Sequence, residues 1–150
     1  MKKVEDWLSE YGESHRHPTN RIIHKFCVPL IVYTLIAMLW ALPFPLITPS
    51  PLINWAGILT LIALVFYFSL GFRPGIFMAL FILPLFIFLK MIGPEQAPII
   101  FQISGVLFII AWIFQFIGHK IEGKRPSFLK DLFFLLIGPL WVFRPLWKIF

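Results

Sequence analysis

The feature that most constrains this chain is a run of 47 residues, Phe26 to Phe72, without one Asp, Glu, Lys, Arg or His. A second such run, 23 residues long, spans Gln96 to Gly118. A helix needs about 20 apolar residues to cross the hydrocarbon core of a bilayer, so both runs are long enough to span. Composition agrees, because 59% of the 150 residues are hydrophobic and only 13% charged, and 18 are Phe. Soluble monomers do not expose apolar surface on that scale, so the solvent for most of this chain is lipid. Disorder, a disulfide scaffold and an ordinary soluble domain are excluded together. The lone cysteine, Cys27, leaves neither an internal disulfide nor a cysteine cluster for zinc. The net charge of +6 sits at the flanks of the apolar runs instead of forming a basic stripe with interleaved aromatics, so nucleic acid is not an expected partner.

Pro, Gly and charge punctuation divides the apolar runs into four expected spans, at about 26–47, 52–70, 75–92 and 99–118. A polar segment, 1–25, precedes them. The first apolar run is too long for a secretory signal and lacks a cleavage-site pattern, so this segment is expected to be kept. The final segment, 119–150, carries an 11-residue apolar stretch, Leu132 to Val142, with a Gly138-Pro139 break. That stretch is too short to span and reads as re-entrant or interfacial. The expected fold is therefore all-α, a single polytopic membrane bundle of four transmembrane helices plus a short C-terminal helix. With this segmentation twelve of the thirteen Lys and Arg residues fall on one face, leaving only Lys90 on the other. Basic residues accumulate in cytoplasmic loops, so both termini are expected in the cytoplasm.

This topology places all four histidines, His15, His17, His24 and His119, at the cytoplasmic ends of the first and fourth spans. Pro18 suits the first turn of a helix, and in a helix starting there Asn20 and His24 share one face. His15 precedes that helix and is free to fold back over it. Near the end of the fourth span Gln115, His119 and Glu122 form a second polar stripe, with Trp112 one turn below. Two polar stripes at one depth make a candidate site in which each offsets the other's desolvation. A buried hydrogen-bonded network with no chemistry, or a haem-binding or lipid-binding protein, uses the same residues, and a histidine near the interface is often only a solvated cap. If a metal binds, imidazoles with a nearby carboxylate suit catalytic Fe(II) or Zn better than a closed structural site, and spacing does not separate the two metals. Arg125, close to Glu122, is by default a membrane-surface anchor and the candidate partner for a substrate carboxylate.

Two motifs, Tyr11-x3-His15-x4-Asn20-x3-His24-x4-Pro29 and Trp112-x2-Gln115-x2-Gly118-His119-x2-Glu122-x3-Pro126, resemble those of the fungal 2-hydroxy fatty acid dioxygenases and their uncharacterised bacterial homologues. The resemblance covers nearly the whole chain and, for a chain this short, points to the bacterial homologues and so to a bacterial inner membrane. It implies an Fe(II)-dependent membrane enzyme that uses O2 to shorten a long-chain 2-hydroxy fatty acid by one carbon (α-oxidation). It also implies His15, His24 and His119 as metal ligands, with Asn20, Gln115 and Glu122, which match its polar motif residues, as the catalytic candidates; Tyr11 is a candidate substrate contact. His17 matches no position of the motifs. Glu122 is left open as a ligand, as a partner orienting His119, or as a base. No Gly-rich phosphate loop or nucleotide fingerprint occurs, which agrees with a reaction whose electrons come from the substrate itself.

Overall fold

The computed structural model describes residues 3–45, 53–123 and 128–147, the side chains of 128–133 apart. The described residues are helical with short connections and no strand. Helix α1 is Val4–Gly12, α2 Pro18–Ala41, α3 Trp55–Leu70 and α4 Phe72–Ile92. After a single 3₁₀ turn, Pro94–Gln96, follow α5 (Ala97–Glu122), α6 (Phe128–Val142) and α7 (Arg144–Trp147). Three stretches, Pro18–Ala41, Phe72–Ile92 and Pro94–Glu122, are long and apolar enough to cross a membrane. Helix α3 is apolar but has 16 residues.

Helix ends depart from the expected spans for local reasons. Helix α2 begins at Pro18 instead of near Phe26, because the exposed Arg21 and Lys25 return the chain to water without interrupting helical hydrogen bonding. It ends at Ala41, ahead of Pro43 and Pro45, neither of which can donate to a further turn. Helix α5 likewise runs past the expected Gly118 to Glu122. The expected break at Gly138-Pro139 does not occur: α6 carries Pro139 within it and stops at Phe143. Proline removes one N–H, and α6 tolerates that loss. Helix α1 lies in the segment read only as polar, and its stripe of Val4, Trp7, Leu8 and Tyr11 packs on α6, with Leu8 and Tyr11 buried. The expected span ends at Ile47 and Leu52, and Arg125, lie outside the described residues.

The turns have identifiable causes. Asn54 caps α3, its side chain accepting from the Gly57 N–H at 2.9 Å. Between α3 and α4 stands one residue, Gly71, at φ +145°, a conformation open to glycine, and the two helices pack against each other. Gly93, at φ +87°, closes α4 in the same way. On α2 the buried positions Asn20, His24, Val28, Ile31 and Thr34 recur at helical spacing, polar at the first turns and largely apolar beyond. On α5 they are Ser104, Ala111, Gln115 and Gly118, a narrow seam on a helix that otherwise exposes Ile, Phe and Val.

Contacts gather the chain into two compact units, one of residues up to Ile31 together with those from Ile110 onward, the other Val32–Ile109. Both polar stripes fall in the first unit. In the second, the Tyr33 hydroxyl donates to the Phe81 carbonyl, and Met78, Ile82, Leu85 and Leu89 form the buried face of α4.

Candidate metal centre

The site is built from four stretches of the first unit: the C-terminal end of α1, the bend 13–17, the first turns of α2 and the last turns of α5. Pro18 opens α2, where a missing N–H costs nothing. His17 caps it, its Nδ1 accepting from the Thr19 N–H at 3.2 Å. One turn further on, Asn20 and His24 point inward, 0% and 1% exposed. On α5, Gln115 and Gly118 are buried beside the half-buried His119.

His15, His24 and His119 converge. One ring nitrogen of each lies within 4.8 Å of the others, and they make up the potential metal-holding group of His, Cys, Asp and Glu side chains among the described residues. Ring centroids are 4.2 Å apart for His15 and His24, 4.9 Å for His24 and His119, and 5.5 Å for His15 and His119. Two tautomers are set by backbone acceptors. The His15 Nδ1–H donates to the Tyr11 carbonyl at 2.7 Å, and the His24 Nδ1–H to the Asn20 carbonyl at 3.0 Å. In both rings the lone pair that could bind a metal is then on Nε2. The His15 Nε2 is buried without a hydrogen-bond partner, a costly state that an electrophile in the centre of the cluster would relieve. Burial is also the main reason that the His15 pKa falls from 6.5 to about 4, reinforced by nearby His119 and opposed by the Tyr11 carbonyl and Glu122. His15 is therefore a neutral imidazole at neutral pH, the form that binds a metal. Three imidazoles fit a borderline divalent ion, with coordination positions left open.

Around this cluster the remaining residues act as supports. The Gln115 side chain is in hydrogen-bond contact with His24. Tyr11 stacks on His15 at 4.1 Å and 7°, and is itself 4% exposed. Glu122 stands apart from the imidazoles' donor atoms. Its Oε1 accepts from the Arg16 N–H at 2.8 Å, and its Oε2 from the His17 N–H at 2.8 Å and the Asn20 Nδ2 at 3.1 Å. Asn20 Nδ2 also donates to the Ser14 carbonyl at 3.2 Å. The His17 ring is exposed and outside the cluster.

Trp141 and Gly138 of α6 carry no signal for the site in the sequence pattern, and Gly118 enters it only as a motif position. Trp141 of α6 lies 5.2 Å from His15 and 5.3 Å from Tyr11, with the Arg21 guanidinium 5.7 Å over its ring. Gly138 leaves room for the Tyr11 hydroxyl and Val28, each 3.1 Å from where a Cβ would stand. Gly118 leaves room for the Asn20 amide oxygen, which a Cβ there would overlap.

Residues 1–148 match the sequence profile of a family described as 2-hydroxy-palmitic acid dioxygenase Mpo1-like. The 2-hydroxy-palmitic acid dioxygenase MPO1 of Saccharomyces cerevisiae is 29% identical over 126 residues, which are 83% of this chain and 68% of the yeast protein. No solved structure matches the chain. A profile matched from end to end, over a chain whose three histidines meet at one point, establishes that this protein belongs to the Mpo1-like family.

Proposed function

We propose that this protein is an Fe(II)-dependent dioxygenase that shortens long-chain 2-hydroxy fatty acids by one carbon at the cytoplasmic interface of the membrane. The observation that carries the reading is the convergence of His15, His24 and His119 around a buried, unpartnered His15 Nε2. The membership of the family, and the activity named for the yeast relative, supply the reaction class. In net terms the 2-hydroxy acid and one O2 yield the shortened acid, CO2 and water, so the substrate furnishes all the electrons. Held by the three imidazoles, Fe(II) would supply the Lewis acidity and the one-electron chemistry that let O2 react with the 2-hydroxy acid.

The chain's own groups prepare that site. The carbonyls of Tyr11 and Asn20 hold His15 and His24 in one tautomer, and Tyr11 fixes the His15 ring plane by stacking. Asn20 and Gln115 position the ligands instead of reacting. Exposed Ile22 and Phe26 on α2, and Ile117 and Ile121 on α5, flank the site with apolar surface suited to an alkyl tail. Each buried CH2 contributes about 0.8 kcal/mol, so long chains bind best. Arg125 is our candidate for the carboxylate, with Tyr11 closing the imidazole side. Four crossings, with both termini in the cytoplasm, bring substrate from the inner leaflet.

The test is direct. Reconstituted protein loaded with Fe(II) is given 2-hydroxy-, 3-hydroxy- and unsubstituted hexadecanoic acid under air, and O2 uptake and chain shortening are followed. Only the 2-hydroxy acid is expected to be shortened, with one O2 consumed per molecule. If it is not shortened, or is consumed no faster than the other two, the proposed reaction is wrong.

A further inference from the structure

We infer that Glu122 is a positioning residue whose carboxylate latches the bend carrying His15 onto the helix carrying His119, so that three imidazoles meet only while the latch is closed. The inference rests on the three-histidine reading and deepens it. A ligand or a base needs a carboxylate oxygen directed at the metal or the substrate. Both oxygens of Glu122 are instead engaged by the α1–α2 bend, through two backbone N–H groups at 2.8 Å and the Asn20 amide at 3.1 Å. These N–H groups lie just ahead of α2, where helix geometry provides no internal acceptor and an anion is favoured.

The placement matters more than the number of bonds. The Arg16 N–H belongs to the peptide unit that leaves His15, so fixing it fixes the direction in which the His15 side chain departs. On α5, Glu122 stands one turn beyond His119. The latch thus ties the residue after one imidazole to the turn after another, across more than a hundred residues of sequence. Asn20 completes the tie. Its Nδ2 bridges Glu122 and the Ser14 carbonyl, directly before His15, while its own carbonyl receives the His24 Nδ1–H. One carboxylate and one amide therefore connect the surroundings of all three histidines. Charge is essential to this arrangement. A carboxylate accepts from three donors at once, whereas the glutamine isostere turns an NH2 toward at least one N–H of the bend.

The experiment uses the 150-residue chain in lipid nanodiscs, with Co(II) as the probe metal and Glu122→Gln compared with wild type and His15→Ala. Amide hydrogen exchange is measured on the metal-free proteins, and helical circular dichroism confirms folding. Glu122→Gln is expected to speed exchange at Arg16 and His17, to weaken Co(II) binding by about 10- to 100-fold, and to shift the Co(II) absorption spectrum toward that of His15→Ala. A role confined to capping α2 would alter exchange and stability but leave the saturated spectrum unchanged, and that result overturns the inference. Loss of Co(II) with Arg16 and His17 still protected also overturns it, since Glu122 would then be a ligand. Wild-type protein that binds no Co(II) refutes the three-histidine reading, an outcome distinct from wild-type binding with an unaffected Glu122→Gln variant.

Discussion

Gly118 shows how much of the site depends on a side chain that is absent. Alanine is the better helix former by about 1 kcal/mol, so within α5 alone Gly118→Ala should stabilise. A Cβ there would instead overlap the Asn20 amide oxygen and stand 3.5 Å from His24 Cε1. Asn20 is fully buried and already bonded to Ser14 and Glu122, so it has little freedom to retreat. Gly118→Ala should therefore cost about 1–3 kcal/mol and lower metal retention, read from thermal unfolding and metal analysis of the purified variant. A higher Tm with metal retained would show that α2 can shift away cheaply. Metal content should also fall sharply on replacing His15, His24 or His119 by alanine, whereas His17→Ala should change it little, because that ring only caps Thr19. Equal loss at all four positions would mean a different ligand set. The side-chain stripes, Asn20 with His24 and Gln115 with His119, are legible in the sequence because helical spacing alone places them on common faces. The partners of Glu122 are not, since two of them are backbone N–H groups, which every residue but proline carries. Trp141 and Gly138 are equally silent, because an apolar residue in an apolar stretch has no distinguishing pattern.

At the level of elements, hydropathy locates the membrane better than it locates helix ends. The uncharged run beginning at Phe26 marks where α2 enters apolar surroundings, yet the helix has already made two turns that carry Asn20 and His24. Those two turns place polar side chains directly on top of an apolar helix, and Phe26, 74% exposed, lies only two residues beyond His24. Helix α1 escaped the hydropathy reading for the opposite reason: nine residues with four apolar positions bury one stripe against α6 and leave the rest in water. Beside the α1–α6 pairing, an Arg144–Glu5 ion pair at 2.6 Å joins α1 to α7, between side chains about half exposed. Such a surface pair is worth little by itself, so the buried stack of Tyr11, His15 and Trp141 carries more of the docking. Pro139 was the misleading signal. Proline within a helix leaves the carbonyl four residues before it, here that of Leu135, without its usual donor, and α6 continues for three residues beyond the proline.

For the whole molecule, the meeting of His24 and His119 constrains how often the chain crosses the membrane. His24 lies near the start of α2 and His119 near the end of α5, and their rings are 4.9 Å apart. Two such ends reach the same side only after an even number of crossings. Helices α2, α4 and α5 are each long enough to span, which makes three, so the proposed site requires α3 to cross as well. Its 16 residues measure about 24 Å at 1.5 Å per residue, short of a hydrocarbon core of about 30 Å. Local thinning and the continuation into Ile53 and Asn54 before it can accommodate that mismatch. Packing of α3 along α4, joined through the single residue Gly71, places the two at a common depth. The charge pattern agrees independently, since this topology puts Arg73 with the basic termini and leaves Lys90 alone on the opposite face. Cysteine labelling tests the conclusion. In right-side-out vesicles, with Cys27 replaced by alanine, Glu95→Cys should react with a membrane-impermeant thiol reagent, and Arg73→Cys should react only after permeabilisation. If Arg73→Cys labels from outside while Glu95→Cys and a third site ahead of α2, Lys3→Cys, both label only after permeabilisation, α3 lies on the membrane without crossing it, and His24 and His119 could not belong to one site.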